Sequence, residues 1–301
     1  MIRGVRWERI IEKGDRFKII RRLVASLGIR TLGFETTAPY EFFEGLSGCG
    51  ARLIPFRGII ERLREIKDPE EIMLIREAVR RAEHAFRSVR PYLRPGRTES
   101  GIALMLEESL KKTGCNRIPF DIIVASGDNS AMPHARTTLR KLCAGDLVVV
   151  DWGGEAGGYY SDMTRTFLMG GTGSLHGRGG ELERKKDIYR QVLNANRCAV
   201  SAVRPGIGSR TVDSAARDAI KKAGYGAFFG HGTGHGVGLE VHELPRVTWT
   251  KSEGLRENMV FTVEPGIYVP GVGGVRIEDM VLVRPEGPEV ITRLPRSLEV
   301  I

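Results

Sequence analysis

The chain has 301 residues, enough for one large domain or two ordinary ones. Hydrophobic residues at 41% and charged residues at 28% exclude a disordered or fibrous protein. No apolar run nears the roughly 20 residues that span a bilayer, and the net charge of +9 is dispersed, so a solvated surface explains it without a nucleic-acid partner.

The first residues, Met-Ile-Arg-Gly-Val-Arg-Trp-Glu-Arg, lack the apolar stretch of a secretory signal. The four cysteines, at 49, 115, 143 and 198, form no Cys-x-x-Cys, which fits reduced thiols and a cytoplasmic location rather than a disulfide scaffold or zinc finger. Residues 1–66 read as a small α/β unit. Arg16–Leu27 is a helix stopped by Gly28, 30–34 and 51–54 are short strands, and Ile59–Ile66 is a second helix. A boundary is expected at Lys67-Asp68-Pro69, where Asp68 caps a helix that opens on Pro69. Ile72, Ile75, Val79, Ala82 and Phe86 give that helix its apolar stripe, and it should end near Arg90.

An internal repeat follows. Arg94-Pro95-Gly96 recurs as Arg204-Pro205-Gly206, and Lys111-Lys112-Thr113-Gly114 as Lys221-Lys222-Ala223-Gly224, both at a separation of 110. A shared separation for two distinct motifs points to a duplication between about 69 and 292, and two copies are too few for a solenoid. Strands are expected after each copy: 121–125, 147–151 and 159–168 in the first, and 237–241, 259–264, 266–269 and 275–283 in the second. Gly170–Gly180, a Gly-rich insert that includes His176, reads as a loop dispensable for chemistry.

Chemistry gathers on these strands. Leu147–Asp151 is an apolar run ending in an acid, and Ser161-Asp162-Met163-Thr164 returns after a Gly-rich turn. A turn centred between Ala156 and Gly157 would set Asp151 against Asp162. Such a pair is either solvated, neutralised by Arg165, or bridged by a cation. In the second half a turn at Gly271 would set Glu264 against Glu278, with Arg276 on the Glu278 face. Charges on apolar strands are costly unless paired or bound to metal. Two related halves that each supply a facing pair therefore favour a two-metal site. His231, His235 and His242 fall within His231–His242, where alternate glycines argue against a helix. His235 is favoured as the metal ligand, with His231 and His242 lining the site. A phosphate-binding Gly-rich loop is the weaker reading, and His134 on its own stays undecided.

Together, Val150-Asp151, Ser161–Arg165, His231–His242, Val263-Glu264-Pro265-Gly266 and Arg276-Ile277-Glu278-Asp279 resemble the pita-bread metallopeptidase family of prolidase, proline-specific and methionine aminopeptidases, and creatinase. The resemblance runs from about Asp68 to the C-terminus. It implies an α+β pita-bread catalytic domain at 67–301 with an internal pseudo-twofold, preceded by a short α/β N-terminal domain at 1–66. That N-terminal domain is shorter than is common in prolidases.

The resemblance makes Asp151, Asp162, His235, Glu264 and Glu278 the ligands of two divalent ions (Mn, Co or Zn), with Asp162 and Glu278 bridging. His134, His231 and His242 would hold the substrate and transition state. His242-Glu243-Leu244-Pro245-Arg246 is most like the proline-specific members, with Arg246 at the place where prolidases hold a dipeptide carboxylate, and Arg276 also substrate-binding. The expected reaction is hydrolysis of an Xaa-Pro bond in a small peptide, with Glu264 relaying the proton and His242 stabilising the oxyanion. Xaa-Pro aminopeptidase, methionine aminopeptidase or creatinase-like activity, or a non-catalytic nucleic-acid- or protein-binding module on this fold, are the alternatives. The family also leaves room for a homodimer.

Overall fold

The computed structural model describes residues 14–170 and 179–301. Residues 171–178, most of the Gly-rich insert and its His176, lie outside them. The chain divides into two compact units, 1–60 and 61–301. In the first, α1 (Arg16–Ser26) is followed by β1 (Thr31–Glu35), α2 (Tyr40–Leu46) and β2 (Arg52–Phe56). Asp15 caps α1 through the Phe17 amide, and Gly28 leaves it at φ +62°. β1 and β2 run parallel, and Phe17 meets Phe42 edge-on at 5.4 Å. The sequence reading missed α2, whose seven residues carry no capping side chain.

α3 (Ile59–Arg64) leads to α4 (Pro69–Val89). The Asp68 carboxylate accepts from the Glu71 amide, and Glu71 accepts from the Asp68 amide, a reciprocal cap that fixes where α4 starts. Its apolar stripe is buried, Trp152 stacks on Phe86 at 4.5 Å, and the Trp152 indole N–H donates to Ala82 O at 3.0 Å. Each such buried side chain contributes roughly 1.5–3 kcal/mol.

The duplication is visible element by element. The first half holds α4 with α5 (Glu99–Lys112), β3 (Ile123–Ser126), β4 (Leu147–Trp152), β5 (Glu155–Ala156), β6 (Tyr159–Tyr160) and β7 (Met163–Leu168). The second holds α6 (Gly179–Ala202), α7 (Ser209–Lys222), β8 (Gly234–Gly236), β9 (Glu243–Val247), β10 (Val260–Val263), β11 (Gly266–Val269), β12 (Gly273–Arg276), β13 (Asp279–Arg284), β14 (Gly287–Val290) and β15 (Glu299–Val300). α5 and α7 are both 14 residues long and sit 110 apart. The sheets run β15-β7-β4-β3 and β14-β13-β10-β8-β9, so β3-β4-β7 corresponds to β8-β10-β13. In each half the central hairpin runs on into a two-stranded ribbon, β5–β6 between β4 and β7 or β11–β12 between β10 and β13.

The first hairpin corrects the expected register. Asp151 pairs with Thr164, not Asp162, and Asp162 lies just beyond the ladder, which ends at Trp152 and Met163. The turn residues are Gly157 and Gly158, at φ +57° and +90°, between paired Ala156 and Tyr159. A two-residue turn with both φ positive is the tight hairpin connection that glycine pairs favour, and it moves the centre one residue along. The pairing therefore slips by two, which keeps every side chain on its expected face.

The second hairpin follows expectation. Val263 pairs with Asp279 and Gly266 with Arg276, one register on both sides of a gap that leaves Glu264 across from Glu278. The strands expected over 159–168 and 275–283 are each interrupted, at 161–162 and 277–278. No strand covers 237–241, where the chain bends, and β8 is only three residues long. Arg246 follows Pro245 and still lies within β9, opposite His235.

Candidate active site

The gaps in the two hairpins aim carboxylates at one another, and β8 brings the imidazole. Glycines flank His235 because neighbouring strands press on both sides. A Cβ at Gly234 would lie 1.8 Å from Thr262 O, and one at Gly236 would lie 2.0 Å from Leu244 O. Within this sandwich His235 Nδ1 lies 3.1 Å from Gly236 O, which can only accept, so Nδ1 carries the proton. Burial, and then His242, hold its pKa at about 3, so the ring is neutral and Nε2 is bare. That bare nitrogen faces Glu264 Oε1 at 3.4 Å and Asp162 Oδ2 at 3.6 Å.

A lone pair facing carboxylate oxygens repels them unless a cation lies between. Asp162, His235 and Glu278 each offer a ligand atom within 4.8 Å of the others. Burial, then Glu278, Asp151 and Glu264, push Asp162 well above the usual carboxylate range. Burial, then Glu264 and Asp151, do the same to Glu278, and burial with Asp151 lifts Glu264 to about 7. Asp151 Oδ1 is buried without a hydrogen-bond partner. Oxygen donors and one imidazole suit a divalent first-row metal, and these residues fit one.

Side chains from the opposite half orient the acids. Thr164 Oγ1 donates to Glu278 Oε2 at 2.6 Å, and Arg276 Nη2 donates to Asp151 Oδ2 at 2.6 Å. Arg276 is buried, which works against its charge, but Tyr268, Asp151, Glu264 and Glu278 outweigh burial and keep it ionised. It also donates to Thr164 Oγ1, to Pro133 O and to the Tyr268 hydroxyl. Arg165, the candidate neutraliser of the first acid pair, instead pairs with Asp279 at 2.8 Å. The sequence reading missed Thr164 and Tyr268. Thr164 was findable, since it lies two residues from Asp162 on the same strand face.

A cavity of about 970 Å³ opens over the acids, and His134, His231, His242 and Arg246 line it along with Asp151, Asp162, His235, Glu264, Arg276 and Glu278. All the sequence-derived candidates thus meet in one place. His231 is the most enclosed of the three added histidines. Its Nδ1 lies 2.8 Å from Gly232 O and its Nε2 2.9 Å from the Tyr268 hydroxyl, so both ring nitrogens are engaged. Burial, then Arg276, lower its pKa to about 4. His242 stands 4.2 Å from His235, ring to ring, and burial and Arg246 lower its pKa too. The Arg246 side chain is exposed at the wall and has no acidic partner within salt-bridge distance among the described residues.

The pattern of Metallopeptidase family M24 matches residues 73–285. The chain belongs to that family. It is 40% identical to an Xaa-Pro dipeptidase of Pyrococcus horikoshii over 94% of this chain and 79% of that one. Its fold is similar to that of an Xaa-Pro dipeptidase from Bacillus anthracis, with TM-score 0.90 and 40% identity over 96% of this chain and 80% of that one. It is also similar to an X-Pro aminopeptidase from Thermotoga maritima, with TM-score 0.89 and 36% identity over 97% and 82% of the two chains. M24 membership makes the chain a metallopeptidase of the pita-bread fold. Among the described residues no helix is long and apolar enough to cross a membrane.

Proposed function

We propose that this metallopeptidase is an Xaa-Pro dipeptidase, with Asp151, Asp162, His235, Glu264 and Glu278 holding two divalent ions. The observation that carries the reading is the bare Nε2 of His235 facing Glu264 and Asp162 in a cavity that Asp151 and Glu278 also line. When bound, the ions supply Lewis acidity and make a water nucleophilic near neutral pH. Glu264 takes the proton of the attacking water and delivers it to the leaving nitrogen. Proline offers no N–H there, so the bond cannot be positioned by a hydrogen bond from that nitrogen, which still takes the delivered proton on its lone pair. The neutral His242 donates to the developing oxyanion. Arg276 and Thr164 hold Asp151 and Glu278 in place, and His231 acts through Tyr268 on Arg276.

His134 and Arg246 face the substrate. A guanidinium without an acidic partner suits the free carboxylate of a dipeptide. Manganese, cobalt and zinc all fit the donor set. On this reading residues 67–301 form the catalytic domain, 1–66 precede it, and the enzyme works in the cytoplasm on small peptides. The similarity to an X-Pro aminopeptidase keeps action on longer peptides as the second reading. A panel of Xaa-Pro dipeptides, longer Xaa-Pro peptides and Met-peptides, assayed with and without manganese or cobalt, tests both. Metal-dependent turnover restricted to the dipeptides is expected, and preference for the longer peptides would select the aminopeptidase.

A further inference from the structure

The exposed His134 stands on a loop at the cavity, not on a strand, and Arg276 holds the Pro133 carbonyl beside it. A second hold on this loop lies at the start of α5. Glu99, its first residue, is fully buried. Its carboxylate accepts from the Ser126 amide and hydroxyl, both at 2.7 Å, and from Asn129 Nδ2 at 2.9 Å. It also accepts from the Thr138 amide at 3.0 Å and hydroxyl at 2.6 Å. The proton positions are forced. Ser126 Oγ accepts from Arg140 Nη1, and Thr138 Oγ1 accepts from the Arg140 amide, so both hydroxyls spend their protons on Glu99. The N-terminal end of α5 adds a favourable field for the negative charge.

Ser126 and Thr138 are the two ends of the loop that carries His134. Asn129, near its start, ties it to its far side by donating also to Arg136 O at 3.0 Å. One carboxylate therefore closes the loop at both ends. The second half has the same device in a different place. Asp213 on α7, also fully buried, accepts from the Thr233 amide and hydroxyl at 3.1 and 2.9 Å. It also pairs with Arg217, which donates to His231 O. The residue 110 positions after Glu99 is Ser209, so the role moved along the helix after duplication. In each half a buried helix carboxylate holds the backbone of a histidine segment.

We propose that Glu99 is a positioning residue for peptide hydrolysis, fixing loop 127–137 so that His134 meets the substrate. The proposal rests on the reading of the cavity given above. The test is a double-mutant cycle of Glu99→Gln and His134→Ala on an Xaa-Pro dipeptide with the metal-loaded enzyme, with melting temperatures recorded. Glu83→Gln is the control. Glu83 is another buried helix carboxylate, but the amides it holds are those of Arg293 and Leu294, outside the cavity.

Glu99→Gln should raise KM more than it lowers kcat, cutting kcat/KM about 10-fold, and should cost less than about 2-fold further in the His134→Ala background. Glu83→Gln should lower the melting temperature and change kcat/KM by less than about 2-fold. A full additional loss in the His134→Ala background, or the same KM shift from Glu83→Gln, overturns the positioning role alone. An unimpaired His134→Ala overturns the histidine's role and the proposal with it. Should Glu99→Gln not fold, Asn129→Ala and Thr138→Val each remove one donor and leave the carboxylate with others. The same non-additivity with His134→Ala is then required of them.

Discussion

The two halves of the catalytic unit share a plan and differ in what they place on it. Both set carboxylates where a hairpin ladder is interrupted. The first half supplies Asp151 one pair inside the ladder's end and Asp162 in the gap, with Thr164 opposite Asp151. The second supplies Glu264 and Glu278, both in the gap, together with His235 and the cationic Arg276. Two identical acidic halves would confront four carboxylates with no protein cation. The second half breaks that symmetry, and it sends Arg276 across to Asp151 while Thr164 crosses back to Glu278. Duplication thus explains the acids, and divergence explains the groups that organise them.

The largest effect should come from removing an acid of the first half. Asp162→Asn should lower kcat/KM by more than about 1000-fold, through lost metal affinity and misplaced chemistry. It should not lower the melting temperature of chelator-treated protein, because burial already penalises that charge. Substantial activity in this variant would remove Asp162 from the site. A melting temperature well below that of chelator-treated wild type would show that the charge stabilises the metal-free fold.

Arg276→Met breaks the link between the halves. It strands the half-buried Asp151, whose Oδ1 already has no partner, and removes a donor from Tyr268, so a loss of about 3 kcal/mol in urea unfolding is expected, the low end for a broken buried pair. An unchanged midpoint would mean that the Arg276–Asp151 pair does not help to hold the halves together.

Arg246→Ala addresses specificity rather than architecture. Dipeptide hydrolysis should weaken roughly 10- to 100-fold, and a tripeptide Xaa-Pro-Xaa should barely respond. Equal losses on both substrates, or none, would transfer the assignment to the aminopeptidase.

The smallest effect is a change of slope with pH. In chelator-treated protein burial and Asp151 raise Glu264 to about 7, against an ordinary 4.5, and Asp162 and Glu278 are raised well above the usual carboxylate range with it. The folded chain therefore holds the extra proton between those values. Stability should fall as pH rises from about 4.5 to 7, by on the order of a few kcal/mol. Metal binding needs the carboxylate ionised, so excess manganese should reverse the slope. Parallel slopes with and without metal would detach these three acids from the ion.

Much of this was legible along the chain. The Asp68–Glu71 cap starts α4 because its partners are three residues apart. Glu264 faces Glu278 because one tight turn sets the register of everything after it. The same logic failed by one residue at the first hairpin, where Gly157 and Gly158, not Ala156, take positive φ. The slip preserved the facing of Asp162, so the set of candidate acids survived the error.

What the sequence could not determine are contacts between residues distant along the chain. Arg276 reaches Asp151 across 125 residues, and Glu99 gathers donors up to 39 residues away. Lys67 is buried against Glu243, 176 residues on. Local rules of period, capping and turn chemistry act over a few residues and put each side chain on a face. Which faces then meet depends on how the two sheets and their helices pack, and buried charges survive there only where packing brings them a partner.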